Sequence, residues 1–481
     1  MTIAAGFRKK LSLVLLLVTA LLLSRCTSAQ KEEQPLSEAG NTGVPGEEAG
    51  RGSRQDEAAL FLESRIEAVP FSPVPLLPSL PSLAYPCQVY LKSGPEDILV
   101  SRNGTELIPA AEDRGLRQFT LSDDGAALTF SRKGFITKEI RDEEIPGLLR
   151  NGILQVKLEP ENGFLKAAGE TASGIQPKSA FFSPDGKRVF VPLLGDAGID
   201  VFAFSAETGN TEFEKRLTVP GSSAKGFVEA LADEKRRELW VSNMEEHRVH
   251  IFDLDSLEYK SSVPTGGIMP KVIAQNPAGT LIAVSNWQSR NISIIDPDTK
   301  KLRFLIPLGG TPRGMAFSSD GSLLYAAIFD EAVVEEVDMA KRKVSRRFRF
   351  HEGSGAARHI IYKAGRLYVS DMARGTVNIL NAADGAVLRS LRTGPNINTI
   401  ALSPDGTLLF ASSRGRNNPE DYTIPGPDLG TVTVLDAGNL SILDRVWGGN
   451  QPTGLALSPD GGYMVFTNFL DANMEIYRIE R

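Results

Sequence analysis

Four basic residues stand at one repeated position of the sequence, and together they could bind an anion. They are Lys178, Lys271, Arg313 and Arg358, each at the start of an alternating strand. The same position in the other repeats holds Val228, Asn398 and Thr453. Converging ammonium and guanidinium groups create a local positive potential and bind carboxylates or phosphates. The alternative is that these are ordinary solvated side chains at strand starts.

A second set of polar residues ends the strand that follows: Asn243, Asn286, Asp371 and Asn468. In a pair of antiparallel strands, the start of the first and the end of the second lie at the same edge. We therefore expect these side chains beside the four bases, as hydrogen-bonding groups for the same ligand. Residues 414–430 form an insertion at this edge, and loops on a rigid scaffold often carry recognition.

The residues for other chemistries are missing from the repeats. No nucleophile motif, phosphate-binding glycine loop or zinc-type Cys/His spacing occurs there. The four histidines, His247, His250, His351 and His359, are too few for haem or multicopper centres. The turn aspartates recur because turns favour Asp. We therefore predict no catalytic residue, no metal site and no cofactor.

The net charge of −6 argues against general nucleic-acid binding, which needs a surplus of Lys and Arg. The 45 glycines and 29 prolines suit short strands joined by tight turns.

The sequence repeats itself from Pro177 onward. Each unit has an alternating strand, a Ser-Pro-Asp-Gly-like turn, a second strand, a loop and a third strand. Clear turns begin at Ser183, Asn276, Ser318, Ser403 and Ser458, and two drifted copies lie at 233–237 and 363–366. The spacing of about 42 residues is that of four-stranded propeller blades, and it gives seven copies.

The second and third strands of the repeats resemble the YVTN family of β-propeller repeats. Examples are residues 238–243 with 248–253, and residues 281–286 with 291–296. The resemblance implies an all-β fold in which a seven-bladed propeller occupies residues 161–481. The last repeat supplies only three strands, so we expect residues 163–167 to provide the missing outer strand.

Residues 87–160 form a separate stretch of short alternating runs with a hairpin signal at Asn103-Gly104. Their order resembles a PEGA-type module. The alternative is a degenerate extra blade, because a Ser-Asp-Asp-Gly turn stands at Ser122.

The N-terminus resembles a bacterial lipoprotein leader. Arg8, Lys9 and Lys10 precede an apolar run at 11–23, and Leu23-Ser24-Arg25-Cys26 resembles a lipobox in which Arg25 departs from the pattern. The rival reading is ordinary cleavage after Ala29. We expect residues 1–26 to be a signal peptide and residues 27–86 to be a disordered, proline-rich tether.

These features predict an exported, monomeric protein that is anchored to a membrane as a lipoprotein, in the periplasm or on the cell surface. It would bind an anionic small molecule or an envelope protein, without nucleic acid. One alternative is a lactonase- or lyase-like propeller enzyme acting on a sugar-derived substrate, with Arg358, His359 and Glu229 at its site. Another is a structural spacer that docks through residues 87–160.

We predict that Cys26 is acylated, because a charged and apolar leader ends at this residue. Mass spectrometry of the mature protein should find a diacyl or triacyl cysteine at its N-terminus. A mature chain that begins at Gln30 would contradict the prediction.

Overall fold

The computed structural model describes residues 87–113, 116–121, 126–150 and 153–480. The expected leader at 1–26 with Cys26, the expected tether at 27–86 and the turn at 122–125 lie outside the described residues. Within the described ranges, no helix has the length and apolar character needed to cross a membrane.

An N-terminal module precedes the repeats and has a core of its own. Its core includes Leu91, Phe119, Phe130 and Val156, all less than 5 % exposed. Its elements are strands β1 (Cys87–Gly94), β2 (Leu99–Arg102), β3 (Thr105–Glu106), β4 (Ala111–Asp113), β5 (Leu116–Leu121), β6 (Leu128–Ser131) and β7 (Lys138–Ile140), a 3-10 turn (Asp142–Glu144), helix α1 (Ile145–Leu148), and strands β8 (Leu149–Arg150) and β9 (Ile153–Lys157).

The module consists of two sheets, in the strand orders β4-β5-β1-β9-β8 and β3-β2-β6-β7. Strand β1 pairs antiparallel with β5 and parallel with β9. The turn between β2 and β3 is Asn103-Gly104, and both residues have positive φ, as a two-residue hairpin turn requires.

The rest of the described chain is a series of four-stranded antiparallel sheets, which we number in chain order. Sheet 1 has β11 (Phe181–Phe182), β12 (Arg188–Pro192), β13 (Ile199–Phe204) and β14 (Thr211–Leu217). Sheet 2 has β15 (Phe227–Asp233), β16 (Glu238–Asn243), β17 (Arg248–Asp253) and β18 (Tyr259–Pro264). Sheet 3 has β19 (Pro270–Gln275), β20 (Ile282–Asn286), β21 (Asn291–Asp296) and β22 (Lys301–Pro307).

The remaining sheets repeat this arrangement. Sheet 4 has β23 (Pro312–Phe317), β24 (Leu323–Ile328), β25 (Val333–Asp338) and β26 (Lys343–Arg349). Sheet 5 has β27 (Ala357–Lys363), β28 (Arg366–Asp371), β29 (Thr376–Asn381) and β30 (Val387–Arg392). Sheet 6 has β31 (Ile397–Leu402), β32 (Leu408–Ser413), β33 (Thr431–Asp436) and β34 (Ile442–Trp447). Sheet 7 has β35 (Pro452–Leu457), β36 (Tyr463–Asn468), β37 (Asn473–Ile479) and, from before the repeats, β10 (Leu165–Ala172). An all-β chain of repeated four-stranded sheets is the architecture of a propeller.

Apolar residues fill the space between neighbouring sheets. Trp240 and Ile251 of sheet 2 share one cluster with Ile273 and Val284 of sheet 3. The middle strands are covered on both faces, so β16, β32 and β36 are buried along their whole length. Each sheet therefore depends on its neighbours for burial, which is why one repeat cannot fold alone.

The Asp-Gly turns have one geometry and a structural role. In sheet 1, Ser183 Oγ donates to Asp185 Oδ1 at 2.5 Å and accepts the Arg188 N–H at 2.9 Å, and Gly186 has a φ of +71°. In sheet 4, hydrogen bonds from Ser318 and Ser322 lower the pKa of Asp320 to about 2. The turn aspartates are thus committed to their own turns.

Strand β10 supplies the fourth strand of the last repeat. It pairs antiparallel with β37, from Leu165 opposite Ile479 to Ala172 opposite Asn473. The closing strand expected at 163–167 is confirmed, and it begins two residues later and runs further. The first strands also follow one another side by side, and β35 contacts β11 of sheet 1.

We predict that loss of β10 destabilises the repeats, because the edge of β37 would be exposed and an open edge invites aggregation. A chain that starts at Gln176 should unfold at lower urea than one that starts at Asn151. In the full chain, Leu165→Ala should cost ~2–5 kcal/mol because Leu165 is 1 % exposed. Ala172→Ser, at an exposed position of the same strand, is the control. Equal unfolding midpoints for all of these chains would show that closure does not depend on β10.

Candidate functional site

Three of the four predicted bases, Lys271, Arg313 and Arg358, lie on β-bulges, and Lys178 precedes the first strand of sheet 1. In sheet 3 the register of β19 against β20 shifts between Pro270 and Ile273, so Lys271 and Val272 leave the ladder. The same shift occurs in sheets 2, 4, 5, 6 and 7. A bulge bends the strand and re-aims its side chains, and bulges often occur beside functional sites. In these six sheets two residues of the first strand leave the ladder, and one of the two stands at the repeat position of the predicted bases.

In sheets 2, 3, 5, 6 and 7, a hydroxyl from the second strand satisfies the backbone that the bulge frees. Ser242 Oγ accepts the Glu229 N–H at 3.2 Å in its own sheet and donates to the Lys271 carbonyl of the next sheet at 2.6 Å. Ser285 Oγ likewise accepts the Val272 N–H and donates to the Arg313 carbonyl at 2.9 Å. We call this arrangement the hydroxyl bridge, and it recurs at Ser370, Ser412 and Thr467. It joins neighbouring sheets at the residues that carry the candidate site.

Sheet 4 has Ala327 at the position of the bridging hydroxyl, and its first strand packs against the next sheet through Gly314. A Cβ added at Gly314 would lie 2.8 Å from the Arg358 carbonyl oxygen and 2.9 Å from His359 Cα. A side chain at this position would push the two strands apart.

Five basic side chains, which we call the funnel cations, lie close enough to influence one another. They are the four predicted bases and Arg414, the residue that follows β32. Burial lowers the pKa of Lys178 well below its usual value, followed by the charges of Arg313, Arg358, Arg414 and Lys271. The structure therefore brings together all four bases that the sequence analysis grouped. We call the region in which these five side chains lie the funnel.

Polarisable groups lie beneath the funnel cations. The Lys271 ammonium is 3.3 Å from Met244 Sδ and 5.6 Å from the centre of the Trp287 ring, and Arg313 lies over Phe329 at 5.6 Å. Cation–π and sulfur contacts stabilise a charge without neutralising it.

One aromatic ring serves two of the cations. Lys178 Nζ lies 5.0 Å and Arg414 Cζ 5.5 Å from the centre of the Phe469 ring. Arg358 Nη1 contacts Met372 Sδ at 3.7 Å. The groups beneath the cations all come from the position directly after a second strand, at Met244, Trp287, Phe329, Met372 and Phe469.

Two further titratable side chains lie in the funnel. Burial raises the pKa of Glu229 to about 7 against the opposing effects of Ser179, Arg313 and Arg358. Burial and the charges of Arg358 and Arg313 lower the pKa of His359 to about 4. His359 is therefore neutral at physiological pH, and Glu229 exchanges its proton near it.

Asn398, which is 0 % exposed, provides a neutral donor. Its Oδ1 accepts a hydrogen bond from Arg358 Nε. Within the described residues its Nδ2 has no hydrogen-bond partner. A buried amide donor without a partner costs about 1–3 kcal/mol, which an acceptor on a ligand would recover.

Asn243, Asn286, Asp371 and Asn468, predicted to hydrogen-bond the ligand, are all 0 % exposed and bonded within their own blades. Asn243 donates to the Lys225 carbonyl, and Asn468 Oδ1 accepts the Gly449 N–H. Asp371 accepts the Ala356 N–H, and Asn286 donates to Ser293. These bonds support the chain at this edge, whereas Asn286 Oδ1 and Asp371 Oδ2 have no hydrogen-bond partner within the described residues. Contact of the four residues with a ligand stays a prediction.

The insertion at 414–430 reaches across this edge of the repeats. Tyr422 packs against Leu194, Val228, Met244 and Phe469, which come from three different sheets. Its carbonyl accepts a hydrogen bond from Gln451 Nε2 at 2.6 Å. Because Met244 and Phe469 also lie beneath funnel cations, the insertion lies at the same end of the repeats as the funnel.

Sequence reasoning missed Arg414 as a funnel cation and missed the rings and sulfurs beneath the bases. The sequence shows that these residues share one repeat position. Their contact with the bases could be recognised only from the structure, in which the bases lie above them.

The described part of the chain contains no group of three His, Cys, Asp or Glu side chains that could hold a metal ion. His250 Nε2 instead contacts Glu246, and His247 accepts the Met269 N–H.

We predict that Glu229→Gln changes the pH dependence of stability. A carboxyl whose pKa rises on folding, from 4.5 to about 7, stabilises the protein below pH 4.5, and this contribution is lost as pH rises towards 7. The variant should therefore gain stability relative to the parent between pH 5 and 8, by at most ~3 kcal/mol. Urea unfolding across this range measures it, with exposed Glu207→Gln as the control. A difference that does not vary with pH would contradict the assignment.

Comparisons with known proteins agree with the fold. No family model matches the chain. Solved structures with similar folds include hydrazine synthase of Kuenenia stuttgartiensis (TM-score 0.54, 20 % identity, 63 % of this chain and 95 % of that one). A chain of the mitotic checkpoint complex is also similar (TM-score 0.54, 16 % identity, 67 % and 94 %). At these identities the likeness concerns the propeller-type fold alone.

One curated relative is much closer in sequence. Antigen Lp49 of Leptospira interrogans serogroup Icterohaemorrhagiae serovar copenhageni (strain Fiocruz L1-130) is 38 % identical over 318 residues, which are 64 % of this chain and 68 % of the relative. The chain belongs to the same family as antigen Lp49.

Proposed function

We propose that this protein is an exported binding protein of the bacterial envelope, anchored as a lipoprotein, which binds an anionic ligand in the funnel of a seven-bladed propeller of the YVTN type. The numbered sheets would be its blades, with β10 and β37 closing the ring. The N-terminal module would be a separate unit, since its strands form two sheets around their own core.

The observation that carries the proposal is the grouping of five basic side chains around one space. Burial is the main cause of the lowered pKa of Lys178, and the like charges around Lys178 lower its pKa further. Packing like charges together costs stability, and proteins often accept such a cost at functional sites. A bound anion would offset the repulsion.

The groups around the cations indicate the kind of anion. Arg313 and Arg358 offer forked donors that suit a carboxylate or phosphate, and Asn398 offers a neutral one. Phe329, Phe469 and the methionine sulfurs give apolar contact beside the charges. We therefore propose a small organic anion with an apolar part.

The location follows from the relative and from the leader. The curated relative is named an antigen, which supports an exposed position for this chain as well. The sequence at Cys26 supports a lipid anchor. Binding of an anion needs no catalytic group. An enzyme is the second candidate function, and the shifted pKa values of Glu229 and His359 favour it.

We predict that Arg313→Glu combined with Arg358→Glu abolishes anion binding, since the change reverses two charges inside the funnel. Phosphate, citrate and glycerol phosphate should each be tested for a rise in the melting temperature of the parent protein at low ionic strength. Ligand at 100 times its Kd adds about 2.7 kcal/mol of stability. Added salt should weaken binding. Binding should also take up protons, because an anion raises the pKa of Lys178 and of Glu229.

The matched control is Arg389→Glu combined with Arg392→Glu, which makes the same change of charge at exposed positions of β30. Unchanged affinity in the folded funnel variant would overturn the proposal and direct the search to the 414–430 insertion or to the N-terminal module. Turnover of sugar lactones by the parent protein, lost in His359→Ala, would favour the enzyme instead.

A further inference from the structure

A cavity lies between the N-terminal module and sheets 5 and 6, and Ser413 and Gly415, the chain neighbours of Arg414, are among its lining residues. Its volume is about 480 Å³, and none of the funnel cations lines it. Arg132 contributes from the module, and Thr393, Ser413, Arg445 and Trp447 contribute from the sheets. Small-molecule sites commonly have volumes of ~300–1,000 Å³.

The cavity coincides with a departure from the repeat. The second strands of sheets 2, 3, 5 and 7 end in Asn or Asp, and in sheet 7 Asn468 Oδ1 accepts the Gly449 N–H at 2.8 Å. Sheet 6 ends in Ser413, whose shorter side chain is 1 % exposed. A Cβ added at Gly394, in the chain that leads to the next strand, would lie 2.9 Å from Ser413 Oγ. Sheet 6 therefore lacks the longer side chain that holds the corresponding loop in sheet 7.

Two buried hydroxyl groups lie at the cavity. Ser413 Oγ and Thr393 Oγ1 line it, and in the part of the chain that the structure describes neither makes a hydrogen bond. Thr393 is only 5 % exposed. A buried polar atom without a partner costs about 1–3 kcal/mol, so two of them at one cavity point to a ligand that supplies the bonds.

The charges at the cavity are of both signs. Arg132 Nε lies 3.1 Å from Asp97 Oδ1, and Arg416 Nε donates to Asp428 Oδ2 at 2.7 Å. Arg445 Nη2 donates to the Thr393 carbonyl at 3.0 Å and fixes that loop. Because acids and bases stand opposite one another, the cavity favours a neutral ligand that both donates and accepts hydrogen bonds.

An indole ring gives the cavity a flat apolar wall. Trp447 is held edge-to-face against Phe135, with ring centres 5.5 Å apart, and a Cβ on Gly94 would lie 2.2 Å from Trp447 Cδ1. The ring is therefore fixed in place by the N-terminal module. Pro95 and Pro395 add further apolar surface. A flat apolar wall beside many donors and acceptors suits a ring that carries hydroxyls on its edge and C–H groups on its faces.

We propose that this cavity binds a neutral saccharide ring, which stacks on Trp447 and hydrogen-bonds to Ser413, Thr393 and the charged pairs. None of the funnel cations lines this site, so it would bind its ligand without the charged groups of the anion site. It would give the protein a contact with surface glycans at the junction of its two parts.

Saturation-transfer NMR on the full chain tests the proposal with four probes: glucose, galactose, mannose and N-acetylglucosamine. At least one should show a signal that a titration converts into a Kd. Thr393→Val removes one hydroxyl at nearly constant shape and should weaken binding about tenfold, the effect of one hydrogen bond to a buried partner. Ser413→Asn restores the residue of the sister sheets and should abolish binding by filling the space.

The funnel variant Arg313→Glu with Arg358→Glu is the control and should bind the sugar with unchanged affinity. Absence of signal with all four sugars and folded protein would overturn the proposal. Binding that survives both Thr393→Val and Ser413→Asn, or that is lost in the funnel variant, would overturn it as well, because the sugar would then bind elsewhere. If Ser413→Asn does not fold, Thr393→Val decides.

Discussion

The described structure depends on a hydroxyl group that recurs in five of the numbered sheets. At the hydroxyl bridge, a serine or threonine near the end of the second strand accepts a backbone N–H from its own bulge and donates to a carbonyl of the next sheet, as Ser242 does with Glu229 and Lys271. An unsatisfied buried N–H or carbonyl is costly, so in these sheets the hydroxyl replaces the ladder bonds that the bulge removes. The same contact that joins two sheets thus permits the bend that turns a side chain into the funnel. Stability and site formation share one interaction.

The funnel shows what this arrangement makes possible. A flat strand would point its residues alternately to its two neighbours, whereas the bulge directs one residue of each repeat towards a common space. Four of the repeat positions hold Lys or Arg, and Arg414 adds a fifth basic side chain from the end of a second strand. Each of the five contacts a ring, a sulfur or an amide. Sheet 6 differs from the others, since Ser413 and Arg414 replace the usual polar and apolar residues and an insertion follows them. Both proposed binding sites involve this one irregular repeat.

The sequence predicted the fold better than it predicted the site. Turn residues such as Asp185 and Gly186 and alternating strands are local signals, so the four-stranded units and the outer strand near Leu165 could be placed. The grouping of the four bases followed from their repeat position alone. The hydrogen bonds of Asn243 and Asn468 could not be predicted from the sequence. A side chain at a strand end can face either a ligand or a loop, and the packing of the folded chain determines which. Arg414 was hidden for the same reason, since its strand end gave no hint of a shared ring at Phe469.

The pairing of β10 with β37 has a consequence for the order of events during synthesis. Glu170 Oε1 accepts a hydrogen bond from Asn473 Nδ2, although the two residues are 303 positions apart. Strand β10 leaves the ribosome long before its partner exists, and contacts so distant in sequence form slowly. A chain that is exported while unfolded would carry this strand across the membrane first and meet β37 only at the end of translocation. The last sheet would thus be completed only in a chain that has been exported in full. A chain interrupted before residue 473 would keep the unpaired edge of β10, which a quality-control protease could recognise.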